Sequence, residues 1–167
     1  MSKIKVTFVE TNCKKNGPIK QTLNIIRNMD KEVFEPSLVT VWPEDADNSM
    51  IDEYKKLGIP VLSANMSKKK SVLFGKKEVG QLLEQLQPDI VVRDISLQGP
   101  LDGADLLQRI RQQNTDLAVL VVSGHDEMVY AERMLRLGAR GYVMKGDALT
   151  FLYALRQVAQ GETYVSE

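Results

Sequence analysis

One cysteine (Cys13), one histidine (His125) and one tryptophan (Trp42) are all that 167 residues hold of those three types. A lone cysteine closes no internal disulfide and, with so little histidine, builds no zinc site, so disulfide-framed and zinc-stapled classes are excluded. Charge of one sign is lacking as well. The 22 Lys and Arg are balanced by 22 Asp and Glu, leaving no electrostatic footprint for nucleic acid or an anionic membrane surface. The longest apolar run, Leu117 to Val122, is far too short to span a bilayer, and Met1-Ser2-Lys3 leads directly into a strand-like pattern with no secretory apolar core. These absences lead to the expectation of a cytoplasmic protein without membrane or nucleic-acid partners. What remains is ordinary for a soluble fold: 43% hydrophobic residues can supply the core of one domain. Any function is expected in a small local site.

Short apolar runs and alternations mark six strands, at 4–9, 37–41, 60–63, 90–95, 118–123 and 141–144. Helical spacing fills the intervals, as in Ile19/Leu23/Ile26, Tyr54/Leu57, Val79/Leu82/Leu83/Leu86, Leu106/Leu107/Ile110, Met128/Ala131/Met134 and Leu152/Leu155/Val158. The lysine-rich stretch from Met66 to Lys77 reads as a loop or a solvated face. Gly17-Pro18, Asp47-Asn48, Asp102-Gly103 and Asp126-Glu127 are the expected helix starts, and Gly58, Gly138 and Gly161 the expected stops. Strict alternation of strand and helix implies a three-layer α/β domain over 1–167, with a doubly wound parallel sheet, because parallel neighbours need crossover connections.

In such a sheet the working residues stand at the carboxyl ends of the strands, near the point where strand order reverses. Those residues are Glu10 and Thr11, then Asp94, Ser123 and Lys145. Two carboxylates, Glu10 and Asp94, can hold Mg²⁺, and a lysine and a hydroxyl can neutralise and hydrogen-bond phosphoryl oxygens, so Asp94 could act as a phosphoryl acceptor. Neither a G-x-G-x-x-G fingerprint nor a P-loop is present. His125 is expected to be a solvated loop residue, and Trp42 a packing residue.

The run from Asp94 to Gly103, the Val119-Leu-Val-Val-Ser-Gly-His-Asp126 segment and Gly138-Ala-Arg-Gly-Tyr-Val-Met-Lys-Gly146 together resemble the receiver domain of two-component response regulators, over about residues 88–165. The resemblance implies that Asp94 accepts phosphate from a histidine kinase, that Ser123 and Lys145 contact the phosphoryl group, and that Tyr142 is a switch residue that turns inward. It implies Mg²⁺ as cofactor. The tail from Gly161 to Ser166 resembles the linker of the DNA-binding subfamily, and the face formed by 126–158 is one through which receivers associate, which implies a monomer or weak dimer.

The first half departs from that pattern. A receiver carries two acids after its first strand, whereas this chain has Glu10-Thr11, and the stretch from there to Asp94 is longer by about one βα unit. Residues 1–90 hold thirteen lysines and one arginine, whereas 91–167 hold one lysine and seven arginines. The pattern over 3–91, including Asn16-Gly17-Pro18 and Leu57-Gly-Ile-Pro-Val61, resembles the Rossmann-like amino-terminal domain of GT-B glycosyltransferases. A seam between Lys77 and Arg93, at the shared strand Pro88-Asp89-Ile90-Val91, therefore suggests a chimera, engineered or fused. The expectation is a six-stranded sheet ordered 3-2-1-4-5-6, no evolved activity, no enzyme and no evolved partner, with a weak Mg²⁺ site at Glu10 and Asp94. The alternative is a working phospho-receiver, and a glycosyltransferase is the third reading. Arg93, inside a central strand, must reach the sheet end, pair with a carboxylate or mark a strained join.

Overall fold

The structure is a computed structural model that describes residues 2–95, 103–124 and 128–166, without the side chains of 68, 71–76, 95 and 103. Strand and helix alternate through β1 (Ile4–Glu10), α1 (Gly17–Asn28), β2 (Phe34–Thr40), α2 (Ile51–Lys56), β3 (Val61–Ser63), α3 (Lys68–Leu86), β4 (Ile90–Ile95), α4 (Gly103–Gln113), β5 (Ala118–Ser123), α5 (Met128–Arg136), β6 (Gly141–Met144), α6 (Ala148–Ala159) and β7 (Tyr164–Val165). All neighbouring strands pair in parallel, in the order β3-β2-β1-β4-β5-β6-β7. The chain thus runs outward from β1 to β3 and then crosses back to β4, which lies against the other side of β1. That reversal brings the carboxyl ends of β1 and β4 together.

Local chemistry explains several boundaries. The Asn16 side chain accepts from Ile19 N at 3.1 Å and caps α1, with Pro18 in the first turn where its missing N–H costs nothing. Asp147 caps α6 through Leu149 N. The three expected stop glycines all have positive φ, 71° at Gly58, 100° at Gly138 and 85° at Gly161. Pro36 sits inside β2 without breaking the ladder. Leu38 N points to Pro60 O on the β3 side, so two residues earlier the nitrogen of Pro36 points the same way, where β3 has not yet begun pairing.

Both sheet faces are buried, which is why the central strands are apolar runs. One face packs under α1, α2 and α6, with Phe8, Leu23, Ile26, Tyr54, Val92 and Leu155 in one core. The other packs under α3, α4 and α5, with Val9, Val39, Leu83, Val91, Leu107 and Met134.

Three expectations change. The sheet has seven strands, not six: β7 adds to β6 through Gly141↔Tyr164 and Tyr142↔Val165, where a linker was expected. Of the two readings of 66–77, the loop fails beyond Ser67 and the solvated face stands, with Lys69, Lys70 and Lys77 exposed. Ser67 caps α3 and its hydroxyl accepts from Lys70 N, so the lysines belong to the first half of a 19-residue helix. β2 begins at Phe34 rather than Ser37.

Candidate functional site

Asp94 comes from β4, next to the end of the strand, and its Oδ2 forms an ion pair with Lys145 Nζ from the residue just after β6. The two side chains are 11% and 22% exposed, so the pair is largely withdrawn from water. The backbone delivers Lys145 to this place. Lys145 N donates to Ser123 O at 2.6 Å, and the next residue, Gly146, accepts through its carbonyl from Gln21 Nε2 of α1. Ser123 ends β5, pairs with Ile95 and Met144 on either side, and is 2% exposed.

Glu10 ends β1 across the reversal point and is 7% exposed. Thr22 Oγ1 of α1 donates to its Oε1 at 2.8 Å. Burial pushes the Glu10 carboxyl up to about 7, and the nearby Asp94 charge adds to that rise, while the Thr22 hydrogen bond and the charges of Arg93 and Lys145 oppose it. Asp94 Oδ1 is buried and has no hydrogen-bond partner among the described residues. One cleft, lined by Phe8, Glu10, Thr22, Asp94, Lys145 and Phe151, opens on the α1/α6 side of this pair. A second, lined by Thr11, Asn12, Asn16 and Trp42, reaches the same two carboxylates past the start of α1. The Trp42 backbone is tied at that wall: its main-chain N–H donates to Thr11 O at 2.9 Å, and its carbonyl accepts from Thr40 Oγ1 and Ser63 Oγ.

The structure therefore gathers Glu10, Thr11, Asp94, Ser123 and Lys145 at one end of the sheet. Tyr142 is 3% exposed, its ring packed into the core beneath α3, α4 and α5. His125 and Asp126 lie outside the described residues, as does most of the Asp94–Gly103 run. Arg93 reaches toward the end of β1, as one of its three expected fates has it, and makes a further interaction besides. It is 5% exposed and its Nη1 donates to Val9 O at 3.1 Å. Thr22 and Gln21 were not foreseen, since a hydroxyl or amide on a helix carries no motif. Cys13 is buried and its thiol pushed up to about 11, which excludes a reactive thiolate.

The donor set limits any metal. Among the described residues no group of three or more Asp, Glu, His or Cys could hold an ion. Two carboxylates do converge, one with an unpartnered oxygen, and that is enough for a weakly held Mg²⁺ with water completing its shell. No helix among the described residues is long and apolar enough to cross a membrane.

Comparison with known proteins gives a consistent result. The model of the response regulator receiver domain matches residues 63–155. The transcriptional regulatory protein DegU of Brevibacillus brevis is 35% identical over 86 residues, which are 51% of this chain and 36% of that protein. The response regulator GacA of Pseudomonas aeruginosa is 32% identical over 87 residues, 52% of this chain and 40% of that protein. The chain thus spans well under half the length of these relatives. Among solved structures, a LuxR-family two-component response regulator from Aurantimonas sp. superposes with a TM-score of 0.63 at 18% identity, covering 98% of this chain and 89% of that one. The receiver domain of the stress response regulator RcsB from Escherichia coli gives 0.64 at 15%, covering 99% and 100%. At those identities the likeness establishes the fold.

These findings overturn the chimera. The receiver match begins at residue 63, upstream of the supposed seam at 77–93, and runs through it. No comparison supports a glycosyltransferase half, and the reading without evolved activity falls with it; the receiver alternative is the better one. Nothing in the structure explains the shift from lysine to arginine. The expectation of no evolved partner and no connection with nucleic acid is corrected too, because relatives include a named transcriptional regulator and a LuxR-family DNA-binding response regulator from Silicibacter pomeroyi.

Proposed function

The chain belongs to the response regulator receiver domain family, and on that footing we propose that it is a phosphoacceptor in two-component signalling, with Asp94 as the acceptor. The observation that carries this reading is the largely buried Asp94–Lys145 ion pair at the strand-order reversal, with Ser123 at the end of the adjoining strand. An Asp94 carboxylate oxygen attacks the phosphorus of a phosphohistidine on a histidine kinase. The P–N bond breaks, the imidazole leaves with the bond's electron pair and takes a proton, and an acyl phosphate forms. Lys145 supplies a compact positive charge for the phosphoryl oxygens, and Ser123 a hydroxyl donor. Glu10 and Asp94 would hold Mg²⁺, whose contribution when bound is to neutralise phosphoryl charge.

Tyr142 is read as the switch residue that follows the Ser123 hydroxyl, and its buried ring is the inward position. The whole chain, 1–167, acts as one folded unit in the cytoplasm, and it is a phosphoacceptor rather than a turnover enzyme. Since the relatives named above are regulators of transcription and DNA-binding response regulators, we place the receiver in the control of a protein that binds DNA. The test is intact mass after brief incubation with Mg²⁺ and acetyl phosphate. One added phosphoryl group, absent in Asp94→Asn, is the expected result. A folded protein that gains none would overturn the reading.

A further inference from the structure

β6 ends at Met144, and Lys145, whose ammonium pairs with Asp94, is the first residue beyond it. Its side chain stands where the backbone of 144–146 puts it, and three hydrogen bonds hold that backbone from three sides. Lys145 N donates inward to Ser123 O of β5 at 2.6 Å, and Gly146 O accepts from Gln21 Nε2 of α1 at 3.3 Å. Met144 N donates outward, at 2.8 Å, to Oγ of Ser166, the residue just past β7. Successive N–H groups of a strand point to opposite neighbours, so the Ser166 bond is the counterweight of the Ser123 bond. It is also shorter than the exposed contact from Gln21.

Ser166 closes the β6–β7 ladder. Tyr164 N donates to Arg140 O at 3.3 Å and Ser166 N to Tyr142 O at 3.0 Å. The next acceptor due in a parallel ladder, opposite Met144 N, is a backbone carbonyl, and the Ser166 hydroxyl takes its place. β7 has two paired residues, both half-buried, so little apolar area holds it down and its docked and undocked states lie close in energy. We propose that Ser166 is a positioning residue for Lys145: its hydroxyl holds the Met144–Lys145 backbone where the ammonium meets a phosphoryl group on Asp94, so that docking of β7 and phosphorylation strengthen each other. Small displacements of a group that stabilises a transferring phosphoryl cost rate, and a coupling of this kind acts equally in both directions on the two equilibria. The proposal rests on the Asp94 reading above.

Two measurements test it. The first is the rate of acetyl phosphate labelling in Mg²⁺, followed by intact mass. Ser166→Ala is expected to label about fivefold more slowly than the unmodified protein, and Ser166→Thr, which keeps the hydroxyl, to recover most of the rate. Equal rates for Ser166→Ala and the unmodified protein, or a Ser166→Thr as slow as Ser166→Ala, would overturn the proposal while leaving Asp94 as acceptor. No labelling of the unmodified protein would remove the acceptor reading and this proposal with it. The second measurement reads the reverse direction, which a merely structural Ser166 would not move. Exchange of the Ser166 amide hydrogen, bonded to Tyr142 O, is followed by nuclear magnetic resonance with and without beryllofluoride and Mg²⁺, the fluoride complex standing in for the phosphoryl group. Exchange about fivefold slower with the complex present is expected, and the slowing should be absent in Asp94→Asn. An unchanged exchange rate in the unmodified protein would sink the proposal.

Discussion

Lys145 holds one carboxylate oxygen of Asp94, Oδ2, while the other, Oδ1, is buried with no partner among the described residues. The pair is therefore strongly asymmetric, and removing the lysine would leave a nearly buried carboxylate without its counter-ion. Breaking a buried pair in this way costs several kcal/mol, less here because Lys145 is 22% exposed. Lys145→Met is expected to lower stability by about 1–3 kcal/mol near neutral pH. In an Asp94→Asn background the same substitution should cost little, since the stranded charge is gone. A double-mutant cycle by urea unfolding checks the coupling, and additive effects would mean that the ion pair is not formed in solution.

Glu10 makes stability depend on pH in a direction opposite to that of an ordinary paired carboxylate. Its carboxyl is raised from 4.5 to about 7, mainly by burial. Below pH 4.5 the group is protonated both folded and unfolded, and no penalty is felt. Between 4.5 and about 7 the folded state keeps a proton that the unfolded state releases, so stability falls as pH rises, and above 7 the whole penalty is present. The difference corresponds to about 3 kcal/mol. Glu10→Gln, whose amide oxygen can still accept from Thr22, is expected to be more stable than the unmodified protein by up to that amount at pH 8 and equal to it at pH 4. Urea unfolding in EDTA at the two pH values measures this. An equal gain at both would show that the effect is packing and not charge.

The legible parts of the fold were those with local signals. β4 opens and β5 and β6 run on apolar residues, and the boundaries of all three are the expected ones. The rim was legible because the reversal of strand order puts the ends of β1 and β4 together whatever the details of side-chain packing. β7 was not, since two residues cannot show alternation. It also breaks a rule that sequence reasoning uses: α6 lies on the face opposite α3, α4 and α5, so the step outward from β6 to β7 has the hand opposite to the β4-α4-β5 step. The start of α3 was hidden because its lysines carry no apolar periodicity, and Ser67 was overlooked as its cap. The seam failed for a different reason. Lysine and arginine are close to interchangeable on solvated surface, so their ratio says little about which fold surrounds them.

β7 is held closely enough for one methyl group to test it. A Cβ added at Gly141 would stand 2.7 Å from Leu120 Cδ1, 3.1 Å from Val158 Cγ2 and 3.2 Å from the backbone oxygen of Tyr164. Leucine can turn away; the β7 backbone cannot without loosening its ladder to β6. Gly141→Ala is expected to cost about 1–3 kcal/mol and to weaken the near-ultraviolet dichroism of the Tyr153–Tyr164 edge contact, whose rings are 5.6 Å apart. Gly17→Ala, with open space at its Cβ, is the control and should change stability by less than about 0.5 kcal/mol. A tolerated Gly141→Ala would mean that β7 does not pack as described.

Both cores draw on the two compositional halves at once. Beneath α1, α2 and α6, Phe8, Leu23 and Ile26 pack with Val143, Phe151 and Leu155, and Phe8 and Phe151 have ring centroids 6.0 Å apart. On the other face Val39 and Val79 share a core with Val119 and Tyr142. Asp89 ties the middle of the chain to its start, its carboxylate accepting from Lys5 N at 2.8 Å while its own N–H donates to Lys5 O. Neither half could bury its apolar face alone, so the chain should unfold in one step. Trp42, the only tryptophan, reports on the first half through fluorescence, and far-ultraviolet dichroism reports on all the helices. The two urea transitions are expected to coincide, and Asp89→Ala to shift both together to lower denaturant. Separate midpoints would show that the halves on either side of residue 90 are independent folding units.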